Sequence, residues 1–207
     1  MARARPPDPG AQRALRRFTI GPLTALFLAV FAGAAMAADN GIMPRELFRF
    51  ESAASVADWS AVDDRVMGGV SRSRMRHDPD GHAVFEGEVS LDNNGGFASV
   101  RSRPLDLGAA GATACVIEVR GDGKRYKLNL RIDDAFDGVN YQAVFEPPAG
   151  AWSELRLPLS AFRPSFRGRS VPGAPPLHPA RVRQIGLMIA ERQAGPFALA
   201  VRSIRME

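Results

Sequence analysis

From residue 40 onward the chain shows no sustained helical period, and instead breaks into short alternating runs separated by turn signals. That pattern constrains the fold more than any other feature. "YKLNLRI" puts Tyr126, Leu128, Leu130 and Ile132 on one face and Lys127, Asn129 and Arg131 on the other, the period-2 signature of a strand with one face in a core. "AVFEGEVSL" does the same with Phe85, Val89 and Leu91 against Glu86, Glu88 and Ser90, and "WSELRLPL" with Leu155, Leu157 and Leu159. "YQAVF" and "FALAVRSI" alternate as well, while "TACVIEV" and "IGLMIA" are short apolar runs bounded by turn residues. "DPDG", "DNNGG", "GDGK" and "PPAG" punctuate them. Many short strands with Gly and Asn turns mean an all-β sandwich or barrel. Asp122-Gly123, inside the tripeptide "RGD", is expected to be the two-residue turn of a hairpin. Trp59 and Trp152, each beside a strand start, are expected to anchor the sandwich.

The first 37 residues are of another kind. Five arginines (Arg3, Arg5, Arg13, Arg16 and Arg17) and a single acid, Asp8, precede an uncharged run of 21 residues from Phe18 to Ala38. "AMA" at Ala35–Ala37 has the small-x-small form of a signal-peptidase site, so residues 1–37 are read as a secretory signal. The expected location is exported, periplasmic or secreted. Two alternatives stay open: an uncleaved anchor facing outward from the inner membrane, and a mitochondrial presequence, which shares the arginines and the scarcity of acids. Residues 38–207 then form a single β-sandwich domain. Without the leader, the 27 basic and 22 acidic residues become 22 and 21, a net charge of +1. A globally basic nucleic-acid binder is thereby excluded.

Catalytic signatures are sparse. The chain has no nucleophile elbow, phosphate loop, paired cysteines or zincin helix. Cys115 lies in an apolar run and reads as a packed thiol. His77, His82 and His178 are far apart in sequence, and a hydrolase is an alternative only if they meet in space. The acids at Asp63-Asp64 and at Asp133, Asp134 and Asp137 carry hard oxygens, but "DDAFDG" lacks EF-hand spacing. No cofactor or metal is therefore expected. Between Glu154 and Glu191 there is no acid but there are six arginines, Arg156, Arg163, Arg167, Arg169, Arg181 and Arg183. They form either an anion-facing patch or a scatter of solvated charges. The segment Arg163–Pro179 holds five prolines and reads as a long irregular connection.

Two Gly-Gly pairs, Gly68-Gly69 and Gly95-Gly96, each stand between a polar loop and a strand, where glycine admits a positive φ or a close backbone approach. "DDRVMGGVSRSRM", "FEGEVSLDNNGGFASVRS", "VRGDGKRYKLNLR", "YQAVFEPPAGAWSELRLPLSAFRPSFRGR" and "QIGLMIAERQAGPFALAVRSI", in this order, cover nearly all of Leu47–Ile204. As a set they resemble the complex I intermediate-associated protein 30 family. The resemblance implies a galactose-binding-domain-like jelly roll, similar in fold to carbohydrate-binding modules. It also implies a non-catalytic role, since eukaryotic members act as assembly factors for respiratory complex I. The matching positions are Asp64, Met67, Gly68, Gly69, Ser71, Asn94, Gly95, Gly96, Phe97, Arg120, Gly121, Asp122, Phe166, Arg167 and Gly168. The expectation is that the Asp63–Ser71 and Asn93–Phe97 loops shape one surface bordered by Arg167 and Arg169, with Asp64 accepting backbone amides or pairing with an arginine. The expected partner is a protein, in the setting of a membrane or envelope complex. Carbohydrate is the alternative, and the membrane is touched only through an uncleaved N-terminal segment.

Overall fold

The computed structural model describes residues 43–207, so the expected signal at 1–37 lies outside the described residues. Thirteen strands follow one another: β1 (Arg45–Arg49), β2 (Trp59–Ala61), β3 (Arg72–Asp78), β4 (His82–Val89), β5 (Ala98–Ser102), β6 (Ala114–Arg120), β7 (Tyr126–Arg131), β8 (Asn140–Phe145), β9 (Trp152–Pro158), β10 (Arg163–Phe166), β11 (Arg169–Ser170), β12 (Gln184–Ile189) and β13 (Gly195–Met206). They form two antiparallel sheets. One runs β3-β4-β13-β6-β9, with β1 also on β13; the other runs β11-β10-β8-β7-β12-β5-β2. This is the two-sheet all-β sandwich that the alternation implies.

The core lies between the sheets and is built from the apolar half of each alternation. Tyr126, Leu128 and Leu130 of β7 meet Phe85 and Val89 of β4, Ile117 and Val119 of β6, and Leu199 and Val201 of β13 in one buried cluster. Each such aliphatic side chain contributes about 1.5–3 kcal/mol through burial. Cys115 is buried, and burial pushes its thiol up to about 12, as a packed thiol requires. Trp59 is buried beside Phe48 and Phe50 at ring-centroid distances of 5.0 and 5.7 Å.

Three expectations need correction. Asp122-Gly123 is not a hairpin turn, because β6 pairs with β13 and β9 while β7 lies in the other sheet. The loop crosses between sheets, and Asp122 ties it down by accepting from the Lys124 and Ala198 amides and the Tyr126 hydroxyl. Trp152 does not anchor the core. It starts β9 on the outward side of the alternation, where the Arg202 and Arg120 guanidinium groups lie 4.0 and 5.0 Å from its ring. The proline-rich segment is also partly ordered: β10 and β11 form an edge hairpin through Arg167 (φ 48°) and Gly168 (φ 75°) before the chain becomes irregular.

Candidate functional site

Asp63 and Asp64 begin a short 3-10 turn, Asp64–Met67, that closes at Gly68 with φ 90°. Both carboxylates turn inward. Asp63 accepts from the Ser73 amide (2.9 Å) and hydroxyl (2.5 Å) and from the Ser99 amide (3.0 Å), joining β3 to β5. Asp64 accepts from the Ser71 amide (2.9 Å) and hydroxyl (2.5 Å), the Gly96 amide (2.8 Å) and the Phe97 amide (3.4 Å). Ser71 Oγ accepts in turn from the Ser90 amide. Burial opposes the Asp64 charge, but the hydrogen bonds from Ser71, Gly96 and Phe97 outweigh it and hold the carboxyl below its ordinary range. These oxygens are committed to donors, so the acid pair acts as a staple and not as a set of cation ligands.

The staple accounts for both glycine pairs. A Cβ on Gly69 would stand 2.4 Å from Asp64 Cγ, and one on Gly95 would stand 2.6 Å from Asp64 Oδ2. The two loops therefore close around one carboxylate and lie side by side. Asn93 and Asn94 supply the left-handed backbone, at φ 54° and 59°, that brings the second loop round.

In front of the staple, a cleft of about 400 Å³ opens on the face of the seven-stranded sheet turned away from the core. Its floor is the polar half of the β7 alternation. Lys127, Asn129 and Arg131 line it, and the last two are only 7% and 2% exposed, although the alternation alone places them toward solvent. The registers set a row across four strands: Arg101 and Asn129 flank Gly186, and Gln142 follows Asn129. Arg131 donates to Asp133 at 2.9 Å and, with Arg101, to the Phe136 carbonyl. The rim carries exposed Val66, Met67 and Phe136.

Of the sequence-predicted residues, Met67, Phe97, Arg167 and Gly168 line this cleft. Asp64, Gly69, Ser71, Gly95 and Gly96 build the staple behind it, while Gly68 and Asn94 are exposed positions of the two loops. The Arg167 guanidinium stacks on Phe166 at 5.2 Å and pairs with Asp137 at 2.5 Å, whereas Arg169 is exposed in the edge strand β11. Arg120 and Asp122 are elsewhere: the former lies against Trp152 in the other sheet, the latter in the crossing loop. The six arginines do not converge. Arg156 pairs with Glu207, Arg167 with Asp137 and Arg183 with Asp134, and of the six only Arg167 lines the cleft. None of His77, His82 and His178 lines it either.

A family model described as Complex I intermediate-associated protein 30 (CIA30) matches residues 48–201. An uncharacterised Schizosaccharomyces pombe protein is 29% identical over 169 residues, covering 72% of this chain and 77% of its own. The Drosophila melanogaster protein named "Complex I intermediate-associated protein 30, mitochondrial" is 25% identical, covering 78% of this chain. The chain spans 62% of that fly relative's length and 54% of the Mus musculus relative of the same name. Among solved structures, a family 11 carbohydrate-binding module of a Clostridium thermocellum cellulase superposes with a TM-score of 0.61 at 16% identity. It covers 80% of this chain and 95% of that one. The fold is thus the jelly-roll sandwich of the galactose-binding-like class. The expected location needs correction: the named relatives are mitochondrial, not periplasmic or secreted. An arginine-rich, acid-poor leader serves either route, so the leader's charge could not decide between them.

Proposed function

The chain belongs to the complex I intermediate-associated protein 30 family, and from that premise we propose that it is a non-catalytic binding module that engages a protein partner through the rim of the cleft, in the manner of a complex I assembly factor. The observation that carries this reading is the rim itself. Val66, Met67 and Phe136 are 61%, 58% and 69% exposed around a polar floor. Large apolar side chains gathered at the mouth of a cleft are what a partner surface presents, and methionine adapts to the shape of what docks. The names of the mitochondrial relatives supply the kind of partner, a membrane-complex subunit. Within this proposal the arginine-rich N-terminal segment serves as a mitochondrial presequence, and the β-sandwich that follows it does the binding.

The test places a photo-crosslinking amino acid at Met67 or Phe136, with Glu88 on the other sheet as control. The expected result is an adduct with a subunit of a respiratory membrane complex from the rim positions only. Equal adducts from Glu88, or none from the rim, would overturn the proposal. The likeness to a carbohydrate-binding module favours a second reading, in which the cleft takes a glycan. Retardation in a gel containing mixed-linked β-glucan, lost on Phe136→Ser, would favour that reading.

A further inference from the structure

The cleft contains a charge and two polar atoms that its own residues leave unsatisfied. Four cations line it: Arg101, Lys127, Arg131 and Arg167. Lys127 pairs with Glu191 at 3.1 Å, Arg131 with Asp133 at 2.9 Å and Arg167 with Asp137 at 2.5 Å. Arg101 has no acid within ion-pair distance among the described residues. Four cations against three acids leave one positive charge, and it sits on Arg101. Burial, and then the neighbouring Arg131, push the Arg101 pKa down, so its charge is held at a cost that an anion would relieve. In the floor, Arg131 Nε has no acceptor and Asn129 Oδ1 has no donor. Both residues are more than nine-tenths buried. Gly186, between Arg101 and Asn129, leaves the floor open over this row.

We propose that the cleft is a recognition site for an acidic peptide segment, with a Glu or Asp carboxylate seated on the Arg101 guanidinium beside the row that Gly186 and Asn129 continue. This rests on the protein-partner reading above and names the chemistry of the partner. A carboxylate compensates Arg101, and the guanidinium's paired donors suit its shape. Val66, Met67 and Phe136 at the rim accept apolar residues on either side of the acid. A neutral sugar would leave the Arg101 charge as it is. The aromatic lining residues are Phe97 and Phe136, and the Arg101 guanidinium already lies over the Phe136 ring at 5.1 Å, which leaves little platform for a pyranose ring.

The experiment is calorimetric titration of the purified chain with a capped peptide alternating glutamate and leucine, and with its glutamine counterpart. The glutamate peptide is expected to bind at least about tenfold more tightly, with the difference shrinking between about 0.05 and 0.5 M salt. Arg101→Gln removes the preference, Arg101→Lys keeps part of it, and Arg74→Gln on the other sheet leaves it whole. Equal binding of the two peptides, binding of neither, or a preference that survives Arg101→Gln overturns the proposal. Rim-dependent crosslinking without a glutamate preference overturns this inference alone. A glutamate preference without rim crosslinking overturns the proposed rim-docking function and leaves the acid-binding site standing.

Discussion

The Gly96 amide donates to Asp64 Oδ2 at 2.8 Å across 32 residues of sequence, and this contact sets where the loop carrying Met67 stands relative to the loop carrying Phe97. Both of those side chains line the cleft. Asp64→Ala leaves the Ser71, Gly96 and Phe97 donors without an acceptor. Losing charge-assisted hydrogen bonds in a buried place costs about 3 kcal/mol, and a urea denaturation midpoint will read it. Asp64→Asn keeps the shape but loses the charge, and is expected to fall between the two.

Gly69 and Gly95 are there for space, while their neighbours Gly68 (φ 90°) and Gly96 (φ 140°) supply the backbone freedom. Gly69→Ala and Gly95→Ala each drive a methyl group to within 2.4 and 2.6 Å of the Asp64 carboxyl. Each is expected to cost about 1–3 kcal/mol. Gly173→Ala meets nothing within 4 Å and is the control, expected to be neutral or slightly stabilising through the unfolded chain. Equal midpoints for all three variants would argue against a sterically closed staple.

The staple also gives the fold an acid-sensitive point. The Asp64 carboxyl is held below its ordinary range, so protons bind more readily to the unfolded chain than to the folded one around pH 4 and below. The stability it contributes is present above its unfolded value of about 3.9 and is lost as pH falls through the lower folded-state value. The gap between wild type and Asp64→Asn is therefore expected to be largest near neutral pH and to narrow at about pH 3. Denaturation midpoints at both pH values measure it.

Much of the fold was legible because a half-buried strand writes its period into the sequence. "YKLNLRI" showed which of its residues enter the core, and Tyr126, Leu128 and Leu130 are there. The approach of the two glycine loops was legible in part, since paired glycines mark close contact and Asp64 was a candidate acceptor, though nothing local decided between backbone amides and an arginine as its partner; the Ser71, Gly96 and Phe97 amides take that place. The cleft floor was not legible. Lys127, Asn129 and Arg131 look like the solvated face of any strand, and only the neighbouring strands, in register through Gly186 and Gln142, make that face a floor. The glycine inside "IGLMIA" was the available signal, because an interior strand loses stability at a glycine unless something needs the room. Asp122-Gly123 misled for the opposite reason: its local chemistry suits a hairpin, but which strand β6 pairs with is decided by β13 and β9, far away in the chain.

Arg131 offers a last test of how the floor is held. Its side chain is buried, and Asp133 is its only ion-pair partner among the described residues. Asp134 and Asp137 pair instead with Arg183 and Arg167, whose side chains are 36% and 64% exposed. Water can replace the acid for those two arginines but has little access to Arg131. Asp133→Ala is thus expected to cost about 1–3 kcal/mol, because it leaves a buried guanidinium without its counter-charge. Asp134→Ala and Asp137→Ala are expected to stay below about 1 kcal/mol. Urea midpoints rank the three variants. A cost for Asp137→Ala equal to that of Asp133→Ala would mean that the floor is wetter than its geometry implies.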